Sequence, residues 1–176
     1  MTYAEDAVGA VDAVDAVDAV DAVDAVGAVG ALDPVARLRI MAAAVPGARV
    51  VERVLAAPVE AVWAVMGDLE GGFGDFQPDM RRVRVLRVSG DRVEALARSR
   101  HGFRARLRGH VRPGWCWLQS RFLIIGMAAS PEPGGGTRVA LTGGVRVPAR
   151  AAIVPLGARR ELERAATRLE ALVTGP

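Results

Sequence analysis

The stretch that most constrains this chain runs from Phe103 to Arg112. Phe103, Ala105, Leu107, Gly109 and Val111 alternate with Arg104, Arg106, Arg108, His110 and Arg112. Successive side chains leave a strand on opposite faces, so this period of two marks a half-buried β-strand. The preceding segment alternates in the same way: Val93, Ala95, Ala97 and Ser99 against Arg92, Glu94, Leu96 and Arg98. Between them, Arg100-His101-Gly102 fits a three-residue hairpin loop, with glycine at the position that needs a left-handed backbone. That loop sets Ser99 opposite Phe103 and Ala97 opposite Ala105.

Pro113-Gly114 turns the chain into a third strand. An even loop there sets Val111 opposite Cys116, Gly109 opposite Leu118, Leu107 opposite Ser120 and Ala105 opposite Phe122. Parity then directs Cys116, Leu118, Ser120 and Phe122 inward, and Trp115, Trp117, Gln119 and Arg121 outward. The expected sheet has one apolar face rich in small residues and one face of arginines beside two tryptophans.

The flanking segments complete an order of elements. Asp33-Pro34 starts a helix, an N-cap acid followed by proline at the first helical position, running to about Ala44 with Val35, Leu38 and Met41 on its apolar edge. Arg49 to Ala57 reads as a strand. Pro58 opens a short helix with Val59, Val62, Trp63 and Met66 at helical spacing. Gly71 to Pro78 is a loop or second short helix carrying Phe73, Phe76 and Gln77. Val83 to Ser89 is a strand that turns through Gly90-Asp91, pairing Val88 with Val93 and Arg87 with Glu94. Arg84 shares parity with Val88 and is therefore assigned to the inner face. Strands follow over Ile124–Ser130 and Thr137–Val147, the latter with a bulge expected at Gly143-Gly144. The longest helix spans about Pro155 to Val173, with Leu162, Ala165, Ala166, Leu169 and Leu172 on one face.

Charge divides the 176 residues unevenly. The first 34 hold eight of the 20 acids and no base, whereas the rest hold all 23 basic side chains, every one an arginine. Residues 9–26 repeat Ala-Val-Asp, and a period of three builds no consistent face in a helix or a strand. Residues 1–32 are accordingly expected to be a low-complexity, disordered appendage. A helix and linker over 33–47 and a folded domain over 48–174 follow. The single cysteine, Cys116, excludes an internal disulfide and a four-cysteine zinc site, and reads as a small core residue. No signal peptide or membrane-spanning run is evident, so the expected compartment is the cytoplasm.

The order of elements and several local motifs together resemble the START-like helix-grip superfamily (SRPBCC), within it the polyketide cyclase/dehydrase and lipid-transport group. The residues carrying the resemblance are Val54-Leu55-Ala56-Ala57-Pro58 leading into Val62-Trp63, then Asp68-Leu69 and Phe76-Gln77-Pro78. Gly135-Gly136-Thr137-Arg138-Val139 and the terminal amphipathic helix complete them. The resemblance covers about residues 48–174. It implies an α+β fold in which a seven-stranded antiparallel sheet curls around the long C-terminal helix, with two short helices after the first strand. It also implies an internal cavity for a small hydrophobic ligand.

The residues offer little catalytic chemistry. His101 sits in a turn and His110 on the arginine face, so the two histidines form neither a metal site nor a proton relay. No cofactor motif is present. The leading reading is a carrier or sensor of a hydrophobic molecule. The candidate ligand contacts are Trp63, Phe76, Gln77, Arg84, Ser99, Phe103, Ala105, Leu107, Leu118, Ser120 and Phe122. A polyketide cyclase or aromatase acting in the same cavity is the alternative. A second alternative uses the outer arginine and tryptophan face to bind an anionic partner, with nucleic acid disfavoured because exposed arginines also serve solubility.

Overall fold

The structure, a computed structural model, describes residues 32–145 and 157–175. The chain divides after Leu32 into two units, and the Ala-Val-Asp repeat and the expected helix start near Pro155 lie outside the described residues.

The folded unit begins with α1, Pro34–Ala43. Asp33 caps it, its Oδ1 accepting from the amides of Val35 (2.9 Å) and Ala36 (3.3 Å). The cap is what Asp33-Pro34 specifies, because the carboxylate satisfies amides that lack helical partners. The remaining elements are β1 (Val50–Leu55), α2 (Val59–Met66), the single-turn α3 (Phe73–Phe76), β2 (Met80–Ser89), β3 (Arg92–Ser99), β4 (Arg104–Arg112), β5 (Trp115–Gln119), β6 (Leu123–Pro131), β7 (Thr137–Val145) and α4 (Ala158–Thr174). The seven strands form one antiparallel sheet in the order β1-β7-β6-β5-β4-β3-β2. The sheet curls around α4, which packs against β1, β7, α2 and α3.

The hairpin registers follow from loop length. Ala97 pairs with Ala105, Val111 with Cys116, Gly109 with Leu118, Val88 with Val93 and Arg87 with Glu94. Gly102 has φ +86°, the left-handed conformation the three-residue loop requires. The inner face carries Val83, Ala95, Ala97, Leu107, Cys116 and Leu118, all buried.

The structure corrects the parity argument at several places. Trp115, Trp117 and Gln119 do point away from α4, yet all three are buried. Helix α1 lies over the outer face of β5, β6 and β7 and seals it with Val35, Leu38 and Met41. Gly126 permits the close approach: a Cβ there would meet Leu38 Cδ1 and Trp117 Cε3, each at 2.9 Å. His110, beside Trp117 in register, is buried as well, with Nδ1 3.3 Å from Asp91 Oδ1.

Arg84 is exposed and pairs with Leu96 on the outer face. The register shifts between Val85 and Arg87, so one inserted residue breaks the parity that linked Arg84 to Val88. β5 ends at Gln119 instead of continuing to Phe122. The Ser120 hydroxyl accepts from the amides of Phe122 (3.2 Å) and Leu123 (3.0 Å), closing a tight turn to β6. The bulge expected at Gly143-Gly144 is replaced by a regular ladder, Ile125 opposite Gly143 and Ile124 opposite Gly144. Leu172 is 48% exposed, because the last turn of α4 does not bury the apolar edge of its earlier turns.

Candidate functional site

The candidate site is the interior between sheet and α4. Helix α4 presents Leu162, Ala165, Ala166 and Leu169 to it, all buried. Helix α2 contributes Val62 and Met66. From α3, Phe73 and Phe76 enter edge to face, ring centroids 5.4 Å apart at 82°. Both rings are fully buried, the outcome of two aromatics at i and i+3 on one helical turn.

Of the candidate contacts, Phe76, Leu107 and Leu118 belong to one continuous apolar cluster, against which Trp63 and Ala105 pack half-buried. Gln77 is half-buried at the C-terminus of α3, its amide donating to the Phe73 carbonyl (3.1 Å). Ser99 is half-buried, and its hydroxyl accepts from the Phe103 amide (3.1 Å). Ser120 is committed to the β5–β6 turn in the same manner. Arg84, Phe103 and Phe122 stand apart from the others. Arg84 lies on the outer face, Phe103 is 76% exposed at the β3–β4 tip and Phe122 is 46% exposed at the β5–β6 turn.

Parity arguments did not reach the residues that α2 and α3 bring into the interior, Met66 and Phe73 among them. They also missed a carboxyl pair at the end of the sheet where α3 meets α4. Burial, and beside it the charge and hydrogen bond of Asp79, raise the pKa of Glu161 above the ordinary carboxyl value, against the pull of Arg164 and His101. Asp79 is fixed from the other side, its carbonyl accepting from the Arg100 amide (2.9 Å). The pair joins residues 82 positions apart, so no local pattern could have indicated it. Cys116 is fully enclosed, and burial alone pushes its thiol up to about 12. It is therefore an inert core residue at neutral pH.

Two surface clefts flank this core. One, of about 740 Å³, lies between β1 and α4 and is lined by Arg53, Arg159, Arg160, Arg164 and Arg168 with Glu52 and Glu163. The other, of about 430 Å³, lies between α3 and β2, with Glu70 and Asp75 facing Arg81, Arg82 and Arg100. Both are lined by several charged side chains, unlike the interior. Among the described residues, no group of three or more His, Cys, Asp and Glu could hold a metal ion, and no helix is long and apolar enough to cross a membrane.

The fold is the START-like helix grip. A START superfamily protein from Mycobacterium smegmatis aligns over 72% of this chain and 96% of its own, with TM-score 0.51 and 18% identity. The Zhui aromatase/cyclase from Streptomyces sp. R1128 aligns over 73% and 92%, with TM-score 0.50 and 20% identity. A protein from Nitrosospira multiformis aligns over 73% and 97%, with TM-score 0.56 and 14% identity. No protein-family model matches the chain, and no curated protein sequence matches it either.

Proposed function

We propose that this protein binds a small hydrophobic molecule between the sheet and α4. The observation that carries the reading is the share of small side chains in the apolar interior, Ala95 and Ala97 from the sheet with Ala165 and Ala166 from the helix, and Ala105 packed against them half-buried. Phe73 and Phe76 are the largest side chains that the short helices bring into the same cluster. Those rings ride on a helix of four residues, too short to be stable by its own hydrogen bonds. A ligand that displaces α3 would exchange its own apolar surface for theirs. The driving force is apolar burial, about 25 cal/mol per Å² before ordering costs. Trp63, Phe76, Ala105, Leu107 and Leu118 would form the walls, and the Gln77 side chain would orient a polar group. The START-like fold supports this reading, since the resemblance implies a hydrophobic cavity in the same place.

Native mass spectrometry of freshly purified protein tests it directly, by a co-purifying small molecule. A fluorescent hydrophobic probe should also bind and be displaced by flat polycyclic compounds, and Ala105→Trp should abolish binding by filling the space. Equal binding by that variant would rule the interior out. The Streptomyces neighbour brings one competing outcome. If the protein accelerates cyclisation of a poly-β-ketone chain and Ala105→Trp, which fills the interior, removes the rate, a cyclase replaces the carrier.

A further inference from the structure

Helix α1 covers the outer face of β5 to β7 and leaves bare that of β2, β3 and the Arg104–Arg108 part of β4. On the bare part, arginines meet across strands. Arg87, Glu94 and Arg108 form one rung, where the carboxylate neutralises its neighbours. Glu94 binds Arg106 (2.6 Å) and Arg108 (2.8 Å), and these hydrogen bonds lower its pKa to about 2. The rung nearest the β3–β4 tip has no such acid. Arg82 faces Arg98, and Arg98 faces Arg104, across three adjacent strands. Like charges directly opposite one another destabilise a sheet. None of the three side chains is in an ion pair or hydrogen bond among the described residues.

The same end of the sheet carries two exposed aromatic rings. Phe103 tops the β3–β4 hairpin between exposed Gly102 and Arg104. Phe122 tops the β5–β6 turn, with the Arg121 guanidinium 5.5 Å from its ring centroid. Strands β4 and β5 are neighbours, so both tips project from one end of the sheet. Of the carboxylates at this end, Asp79 and Glu161 are engaged with one another, whereas Glu70 and Asp75 line the cleft beside Arg82 and Arg100 and leave Arg98 and Arg104 outside it.

From this cluster we infer that the β3–β4 and β5–β6 tips dock on an anionic phospholipid surface. Phe103 and Phe122 enter the interfacial region, and Arg98, Arg100, Arg104 and Arg121 meet the headgroup phosphates. The placement of the aromatics favours a bilayer over nucleic acid. Stacking on bases needs rings within the basic face, but Trp115 and Trp117 are buried beneath α1 and the exposed rings stand at the tips. A bilayer instead takes apolar tips into the interface and attracts arginines close behind them.

Co-sedimentation of the full chain with phosphatidylglycerol–phosphatidylcholine vesicles, against phosphatidylcholine alone, tests the inference. Binding should require the anionic lipid and weaken as salt rises. The double substitution Phe103→Ala with Phe122→Ala should lower affinity about tenfold or more, and each of Arg98→Gln and Arg104→Gln about fivefold. Arg159→Gln with Arg160→Gln, in the cleft beside α4, should leave binding within about twofold, which separates docking from the general attraction of a basic protein. All these side chains are exposed, so an unchanged melting temperature confirms the variants fold. Vesicle binding that the phenylalanine substitutions leave unchanged overturns the inference. So does retention on a DNA oligonucleotide, lost in the arginine variants, with no vesicle binding.

Discussion

The guanidinium of Arg37 lies over the indole of Trp115, its central carbon 4.3 Å from the ring centroid. Both side chains are buried, one from α1 and one from β5. The contact marks where the helix closes over the outer sheet, and a buried cation–π pair of this kind contributes on the order of 2 kcal/mol.

The first prediction concerns that closure. Leu38, fully buried, is the central apolar residue of α1. Leu38→Ala should cost about 2–5 kcal/mol in urea denaturation. Tryptophan emission should shift to the red in the native baseline if Trp115 and Trp117 become wetter. A loss below about 0.5 kcal/mol would mean that α1 adds little to the sheet.

How much of this could be read in the sequence depends on whether the deciding interaction is local. Loop length fixes register, so Ala97 opposite Ala105 and Val111 opposite Cys116 followed from counting residues. The N-cap at Asp33 was legible for the same reason. The burial of Trp115 and Trp117 was not, because it depends on a helix about 75 residues earlier folding back over them. Arg84 was misplaced by a single irregularity beyond Val85 that leaves no mark in an Arg-Val-Leu-Arg-Val run. For the site, strand parity supplied Ala105, Leu107 and Leu118. It also put Phe103 and Phe122 on the inner face, although they lie at tips where alternation no longer operates.

A second prediction concerns acid. Burial would raise the pKa of Asp33, but the hydrogen bonds from Ser130 (2.7 Å), Ala36 and Val35, with the charge of Arg39, hold it below the ordinary 3.8. A carboxyl lowered on folding stabilises the fold above its unfolded pKa, and that contribution fades as pH falls through the folded pKa. Ser130→Ala should therefore raise the Asp33 pKa, measured by NMR titration, and make the loss of stability begin at higher pH. An unmoved titration would show that the hydroxyl does not hold the cap.

Glu161 gives a prediction of opposite sign. Its pKa is raised, chiefly by burial and then by Asp79. Its contribution is complete below the unfolded value of 4.5 and is lost as pH rises through the folded one. Glu161→Gln removes the charge repelled by Asp79, so the variant should melt higher than the parent at pH 7. The difference should vanish below about pH 4, where the parent carboxyl is itself neutral. A variant that melts lower at pH 7 would show that Glu161 serves chiefly through Arg164.

The last prediction compares two leucines one turn apart on α4. Leu169 is fully buried against the sheet, whereas Leu172 is 48% exposed. The chemical change to alanine is identical, and so is the loss of the same methyl groups from the helix. Only the burial differs. Leu169→Ala leaves a cavity that its neighbours fill incompletely, and should cost about 2–5 kcal/mol. Leu172→Ala removes apolar surface already largely in water, and should cost less than about 1 kcal/mol, partly offset by the better helix propensity of alanine. Denaturant midpoints for both, with unchanged m-values, decide the matter. Equal losses would mean that the terminal turn of α4 packs in solution as tightly as the middle of the helix.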